Sequence, residues 1–149
     1  MSHIVSSKVV IADLACLKQA IQKFQALRWI DKKTYSWYGT FMNDYHGDDA
    51  AYKDGVDPKD YGKCEAALHV DGSDYEIGIM KRKDGKGYAI VWDFYGTGRE
   101  INKVVGDGAE KLLVEYQKEF ISRFANTEGL NLTMEETGEE ITMELELGV

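Results

Sequence analysis

The chain has 149 residues, a net charge of −8 and 44% apolar residues, which is typical of one folded domain with a buried core. This acidic balance argues against non-specific binding to nucleic acids, which requires a surplus of Lys and Arg. No apolar stretch is long enough to span a membrane, and no signal peptide is recognisable. We therefore predict a single cytoplasmic domain over residues 1–149.

The N-terminal region predicts a strand followed by a helix. Residues 3–11 have strand character, and Asp13 is suited to cap a helix because its carboxylate accepts amides of the first turn. The helix is expected to end near Gln25, and its apolar stripe comprises Leu14, Leu17, Ile21 and Phe24. Cys16 and Cys64 lack a metal-type spacing and are expected to be buried free thiols of a reducing compartment.

Two contrasting segments follow. Tyr35, Trp37 and Phe41 alternate with polar residues, so residues 34–41 predict a second strand with an aromatic face. Residues 43–63 are rich in Asp, Gly and Tyr and predict a long inserted loop. Its cluster of His46, Asp44, Asp48 and Asp49 has the ligand types of a hard cation but not the spacing of a calcium loop, so a solvated loop is the plainer interpretation.

Residues 75–96, YEIGIMKRKDGKGYAIVWDFYG, predict the central hairpin. Asp84-Gly85 suits a type I′ turn, in which both central residues have positive φ. The resulting register places the large apolar residues on one face and a small, acidic set on the other. The predicted partners on the second face are Met80 with Ala89, Gly78 with Val91, and Glu76 with Asp93.

The C-terminal half predicts two helical segments and a second hairpin. Residues 99–105 are expected to form one or two helical turns, and a longer helix is expected from about Gly108 to Asn126, with Gly129 as its C-cap. With Thr137-Gly138 as the turn, the hairpin pairs Met134 with Ile141, Leu132 with Met143, and Leu130 with Leu145. Beyond Arg123 the chain carries seven Glu and no basic residue, which indicates a solvated acidic face or an acidic surface for a partner.

This order of elements predicts an α+β fold. We expect a single antiparallel sheet of about six to seven strands, with a 64–70 strand beside the central hairpin and two helices packed on one face.

Several stretches together carry a family resemblance: residues 1–4, 75–78 and 87–96, the long helix and the closing hairpin. The chain resembles the family called domain of unknown function 1257, which includes the hypothetical chloroplast open reading frame 35 proteins of cyanobacteria and plastids. The resemblance covers most of the chain except residues 43–63. It implies a common fold and a bacterial, plastid or phage origin, and it implies no catalytic residue.

Strand geometry predicts one polar row. His69, Glu76 and Asp93 fall on the second face of three neighbouring strands, if Gly72-Ser73 forms the turn before the hairpin. With Asp71-Gly72 as the turn, His69 instead faces Asp74. Paired carboxylates repel and raise one pKa, which suits acid–base catalysis or, with an imidazole, a metal site. A plain solvated sheet face is the alternative.

Gly96, Gly98 and Arg99, with Tyr95 beside them, predict a second candidate site. Amides and a guanidinium before a helix can bind an anion such as a nucleotide phosphate, although strand-to-helix turns use glycine anyway. Aromatic residues expected to be exposed near it or in the loop are Tyr38, Tyr45, Tyr52 and Tyr61. The chain has no P-loop, no Gly-x-Gly-x-x-Gly opening a helix and no Gly-x-Ser-x-Gly motif.

The absence of a nucleophile motif favours a non-catalytic binding or accessory domain that engages a protein partner or a second copy of itself. Its small-residue sheet face, if uncovered, would need a cover. The alternatives are a small-ligand binding or sequestering protein of phage origin, and a metal-assisted enzyme. No cofactor, membrane or nucleic-acid partner is predicted.

Overall fold

A computed structural model describes residues 4–6, 10–38, 55–137 and 140–147, apart from the side chains of residues 5, 6, 137, 140 and 141. Within these residues the fold is α+β, as predicted. The strands are β1 Ile4–Ser6, β2 Leu27–Ile30, β3 Ala66–Val70, β4 Ile77–Lys81, β5 Tyr88–Asp93, β6 Leu130–Thr137 and β7 Glu140–Leu147. The helices are α1 Leu14–Ile21, α2 Arg99–Val105 and α3 Glu110–Glu128.

The strands form two sheets, so the prediction of a single sheet with six to seven strands is wrong. An antiparallel sheet has the order β1-β5-β4-β3-β2, and β6 and β7 pair separately. Gly129 adopts φ 68° and caps α3 as predicted, so β6 begins directly after the helix, and Glu136 of β6 pairs with Lys118 of α3. The hairpin therefore continues from the helix and does not join the five-stranded sheet.

The central hairpin has the predicted register, with Gly78 opposite Val91 and Met80 opposite Ala89. Its turn differs from the prediction. Gly85 has φ 74°, but Asp84 does not have the positive φ of a type I′ turn. Instead the Gly85 amide donates to the Arg82 carbonyl, and the Asp84 carboxylate accepts the Lys86 amide. This side-chain bond stabilises a wider loop without changing the register.

The helices cover the first face of the five-stranded sheet. Asp13 caps α1 as predicted by accepting the amides of Ala15 and Cys16, but the helix ends at Ile21 rather than near Gln25. The phenol of Tyr116 on α3 accepts the amides of Ala12 and Asp13 and so joins the two helices. The fully buried residues of this core include Leu17, Leu68, Ile77, Ile79, Ile90, Trp92, Ile101 and Leu112.

The second face of the sheet is covered by the chain itself. Tyr35 and Trp37 do not belong to a strand of the sheet, which corrects the prediction of a strand over residues 34–41 in its described part, 34–38. Phe41 lies outside the described residues. Tyr35 and Trp37 are buried over the sheet with Val56 and Tyr61, and the Tyr35 amide donates to the Gly62 carbonyl. We call residues 34–38 and 55–64 the cover. The underlying residues are Ala67, Met80, Ala89 and Val91.

The closing hairpin pairs in a register shifted by two residues from the prediction. Leu130 lies opposite Leu147, and Met134 lies opposite Met143 rather than Ile141. In the observed register eight residues of β6 pair with eight of β7. Residues 138–139, which connect the two strands in the chain, lie outside the described residues. A shift by an even number keeps each side chain on the same face, so the hydrophobic alternation alone does not distinguish the two registers.

Gly78 provides the space for the Tyr35 ring. A Cβ on Gly78 would lie 2.3 Å from Cδ1 of Tyr35, whereas a Cβ on Gly108 would meet only Glu110 at 3.4 Å. We expect Gly78→Ala to lower the free energy of unfolding by about 1–3 kcal/mol because the ring must move off the sheet. Urea denaturation measures this loss, with Gly108→Ala as the control. Equal stability of the two variants would contradict a closely packed cover.

Candidate functional site

Glu76 is a buried residue that holds the cover. Its carboxylate lies 2.7 Å from Nζ of Lys32 and accepts the amide of Ser36 at 2.9 Å. The Glu76 amide in turn donates to the carbonyl of Ser36. Only 11% of the Glu76 side chain is exposed. The expectation of a bare acidic face is therefore wrong at this position, because the carboxylate is paired and hydrogen-bonded.

Asp93 performs the same role one strand away. It is fully buried at the end of β5, and its two carboxylate oxygens accept the amides of Tyr38, at 3.2 Å, and Tyr95, at 2.9 Å. Two carboxylates of the sheet thus accept the amides of Ser36 and Tyr38. Trp37 lies between these two residues and Tyr35 directly precedes them, and the rings of both are buried.

The predicted row of His69, Glu76 and Asp93 is not assembled around a common point. The β3–β4 register extends to place His69 opposite Glu76, which favours the Gly72-Ser73 alternative. However, Nε2 of His69 lies 3.3 Å from the carboxylate of Asp71, while Glu76 binds Lys32. In the described parts of the chain, no three His, Cys, Asp or Glu residues are placed to hold a metal ion.

The pKa of Glu76 is lowered, and not raised by repulsion as expected for paired carboxylates. Burial opposes ionisation, but the Lys32 ammonium and the Ser36 amide outweigh it and hold the pKa below the ordinary value of 4.5. A lowered pKa describes a carboxylate that stabilises the folded chain when ionised. It does not describe a group that holds a proton for catalysis near neutral pH.

The second candidate site, around Gly96, Gly98 and Arg99, contains residues that stabilise the turn between β5 and α2. Gly98 is buried, and a Cβ there would lie 2.0 Å from the carbonyl oxygen of Asp93. Thr97 exchanges hydrogen bonds with Asp74 and fixes the turn. Arg99 is exposed and borders a groove of about 550 Å³ that is also lined by Phe94, Asn102, Lys103 and Asp107. Anion binding by Gly96, Gly98 and Arg99 stays a prediction.

The aromatic residues predicted to be exposed differ in their burial. Tyr61 is buried, and its ring meets that of Trp37 edge to face at 5.3 Å, so its predicted exposure is wrong. Tyr38 is half-buried and meets the exposed ring of Tyr95. Tyr45, Tyr52 and the His46 cluster lie outside the described residues. The described part of the predicted loop contains Val56 and Tyr61, which belong to the cover.

Thiol chemistry is also disfavoured at the two cysteines. Both are free, as predicted, with Cys16 buried and Cys64 half-buried. Burial raises the pKa of Cys64 to about 11 and also raises the pKa of Cys16. Because the thiolate is the reactive form, neither residue is activated as a nucleophile.

Uncovered apolar side chains form another surface, on α3 and the closing hairpin, which the sequence did not single out as a candidate site. Alternation along β6 and β7 puts Met134, Leu145 and Leu147 on one face, where they remain 36%, 39% and 82% exposed. The C-terminal half of α3 adds Phe120 and Phe124, at 37% and 45%. We call these five residues the open apolar surface. The sequence signal for it is a spacing of four, which puts Leu112, Tyr116, Phe120 and Phe124 on one side of α3, but only Leu112 and Tyr116 are buried.

Two grooves adjoin the open apolar surface, and Phe120 lines both. One, of about 230 Å³, lies between α3 and the hairpin and is lined by Val10, Ala12, Tyr116, Gln117, Phe120, Ile121 and Met143. The other, of about 220 Å³, is lined by Asp13, Cys16, Phe120, Arg123, Phe124 and Thr127. Exposed apolar residues beside grooves are characteristic of interaction surfaces.

Comparisons with known proteins give no independent assignment. No family model, no curated protein and no solved structure matches this chain. The resemblance to domain of unknown function 1257 therefore stays a prediction that rests on the residues given for it. Among the described residues there is no helix both long and apolar enough to cross a membrane.

Glu76 gives a direct test of the carboxylate that holds the cover. We expect Glu76→Gln to lower the free energy of unfolding at pH 7 by about 1–3 kcal/mol, because a buried charge-assisted hydrogen bond is lost. The lowered pKa means that the ionised carboxylate stabilises the fold above pH 4.5. This stabilisation is lost as the pH falls through the lowered value, so the difference between wild type and variant should shrink there.

The control is Glu65→Gln. Glu65 pairs with Lys33, the neighbour of Lys32, but 42% of its side chain is exposed, so the expected change is below about 1 kcal/mol. Urea denaturation across the acid range measures both variants. A stabilised Glu76→Gln variant would support the solvated, repelling face instead.

Proposed function

We propose that this protein is a non-catalytic binding domain that docks a protein partner on the open apolar surface. One observation carries the proposal. The chain covers both faces of its five-stranded sheet, yet it leaves Phe120, Phe124 and the apolar face of the closing hairpin in solvent. A partner would remove this apolar surface from water, which is the main driving force of protein association.

The position of the surface supports the proposal. The exposed residues come from two elements that follow each other in the chain, α3 and the β6–β7 hairpin, and Phe120 of α3 lines one groove together with Met143 of β7. Single exposed apolar residues need no explanation, but a contiguous group does. The need for a partner on the small-residue sheet face, which first suggested a binding domain, disappears because Tyr35 and Trp37 occupy that face.

The proposal includes a cytoplasmic location and the predicted bacterial, plastid or phage origin. Free thiols at Cys16 and Cys64 support a reducing compartment. The origin rests only on the family resemblance.

Polar substitution of the open apolar surface tests the proposal. We expect the double variant Phe124→Gln, Leu145→Thr to lose a companion protein that wild type retains at fixed stoichiometry when purified from its own host. Both side chains are already partly in solvent, so the free energy of unfolding should change by only about 0.5 kcal/mol per site. Quantitative mass spectrometry and urea denaturation are the two measurements.

Tyr95→Gln is the matched control. Tyr95 is 44% exposed, nearly the same fraction as Phe124, but it lies outside the open apolar surface. The control should retain the companion. Retention by all three proteins would contradict the proposal, and so would a large loss of stability in the double variant, which would show that the surface belongs to the core.

A further inference from the structure

The closing hairpin has a free edge. β7 pairs with β6 over its whole length of eight residues, and β6 lies beside α3 through the Lys118–Glu136 ion pair. No strand occupies the opposite edge of β7 within the described residues. We call it the outer edge of β7. Every second residue of an edge strand turns its amide and carbonyl outward, so this edge can accept a further strand.

This edge lacks most of the devices that protect edge strands, and the one that it has is acidic charge. Residues 140–147 contain no Pro, Gly, Lys or Arg, and the eight pairs with β6 continue without a bulge. Natural edge strands are commonly short, bulged, proline-containing or charged, and the only charges in residues 140–147 are carboxylates, which repel acidic strands but not basic ones. A hairpin of two strands is also only marginally stable by itself, and a third strand stabilises it. The length of β7, its regular pairing and the small number of strands in the hairpin therefore all favour the addition of a third strand.

The charges beside the outer edge of β7 indicate which kind of strand can be added there. On the outer face of β7, Thr142, Glu144 and Glu146 are exposed, and Glu135 of β6 continues this acidic face. On the other face lie Met143, Leu145 and Leu147. A strand added at the outer edge would therefore place apolar side chains beside the leucines and would place every other side chain beside carboxylates. Opposite charges on neighbouring strands attract, and like charges repel.

We propose that the outer edge of β7 binds an extended basic segment of the partner, which alternates apolar residues with Lys or Arg and becomes a third strand of the hairpin. This inference rests on the proposed function, because it uses the same open apolar surface. The partner strand is apolar on one side and cationic on the other.

A second copy of this chain fits the edge less well. Two β7 strands related by a two-fold axis would pair antiparallel with their apolar faces on the same side. Outer-face residues would then lie opposite outer-face residues of the same strand. Because Glu144 and Glu146 are two of the three described side chains there, carboxylates would be brought together. The carboxylates that disfavour self-pairing are those that favour a basic strand.

Peptide probes test the inference on the full chain. The first is an eight-residue peptide that alternates Val and Lys, and the second replaces each Lys by Glu. We expect the Val–Lys peptide to bind at least about tenfold more tightly, because two or more cross-strand charge pairs change sign. NMR titration should place its shift changes on β7. A third peptide, Val–Lys with alternate amides N-methylated, should lose most of its affinity because it cannot donate backbone hydrogen bonds.

Charge reversal on the protein supplies the control. We expect Glu144→Lys with Glu146→Lys to reverse the preference in favour of the Val–Glu peptide. Glu135→Lys, on β6 and farther from the outer edge, should leave it nearly unchanged. Both variants change exposed residues, and urea denaturation should confirm that they fold.

The outcomes separate the inference from the proposed function. Equal binding of both peptides, binding elsewhere than β7, or no binding overturns the basic strand. So does a concentration-dependent dimer in which β7 is the protected strand. In each of these cases the proposed function still stands if Phe124→Gln, Leu145→Thr removes the host companion, and it falls if that variant has no effect.

Discussion

Two buried carboxylates hold the segment that covers the second face of the five-stranded sheet. Glu76 and Asp93 lie on neighbouring strands, and they accept the backbone amides of Ser36 and Tyr38. These two bonds hold the segment that carries Tyr35 and Trp37, and both rings pack against the sheet, where Gly78 and its small neighbours leave room. Burying a carboxylate is costly unless it is hydrogen-bonded or paired. The cover supplies hydrogen bonds to both carboxylates, and Lys32, which precedes the cover, pairs with Glu76, so the cover and the acidic face depend on each other.

This arrangement gives each polar side chain of the predicted row a structural partner within the described residues. A face with two carboxylates and an imidazole resembles a catalytic or metal site in sequence, but each side chain is engaged with its own partner. His69 binds Asp71, Glu76 binds Lys32 and Ser36, and Asp93 binds Tyr38 and Tyr95. Polar groups that stabilise packing need not act on a substrate. In the part of the chain that the structure describes, the apolar residues of the open apolar surface remain exposed instead.

Sequence patterns predicted the local structure well where one period dominates. The alternation around Gly78 and Ala89 gave the central register, and Asp13 and Gly129 marked the ends of two helices. The closing hairpin was predicted with the correct face but the wrong register, since a shift of two residues preserves alternation.

Long-range packing was not predictable in the same way. Tyr35 and Trp37 alternate as strand residues do, and nothing local shows that they cover a sheet formed 40 residues later. The acidic pair was taken for a solvated or functional face because its amide partners, on Ser36 and Tyr38, are distant in sequence. The sequence does contain a signal for this packing. Ala67, Gly78 and Ala89 are too small to fill a core by themselves, and they leave space for large aromatic residues that alternate elsewhere in the chain.

Hydrogen exchange followed by NMR tests the central claim that the chain covers its own sheet and leaves the closing hairpin open. Amides bonded to buried acceptors open only with the structure around them, whereas outward amides of an edge strand exchange quickly. The account predicts that the Ser36 and Tyr38 amides exchange as slowly as those of β4 and β5, while every second amide of β7 exchanges fast. Fast exchange at Ser36 and Tyr38 would contradict the cover and return Glu76 and Asp93 to the list of candidate functional residues.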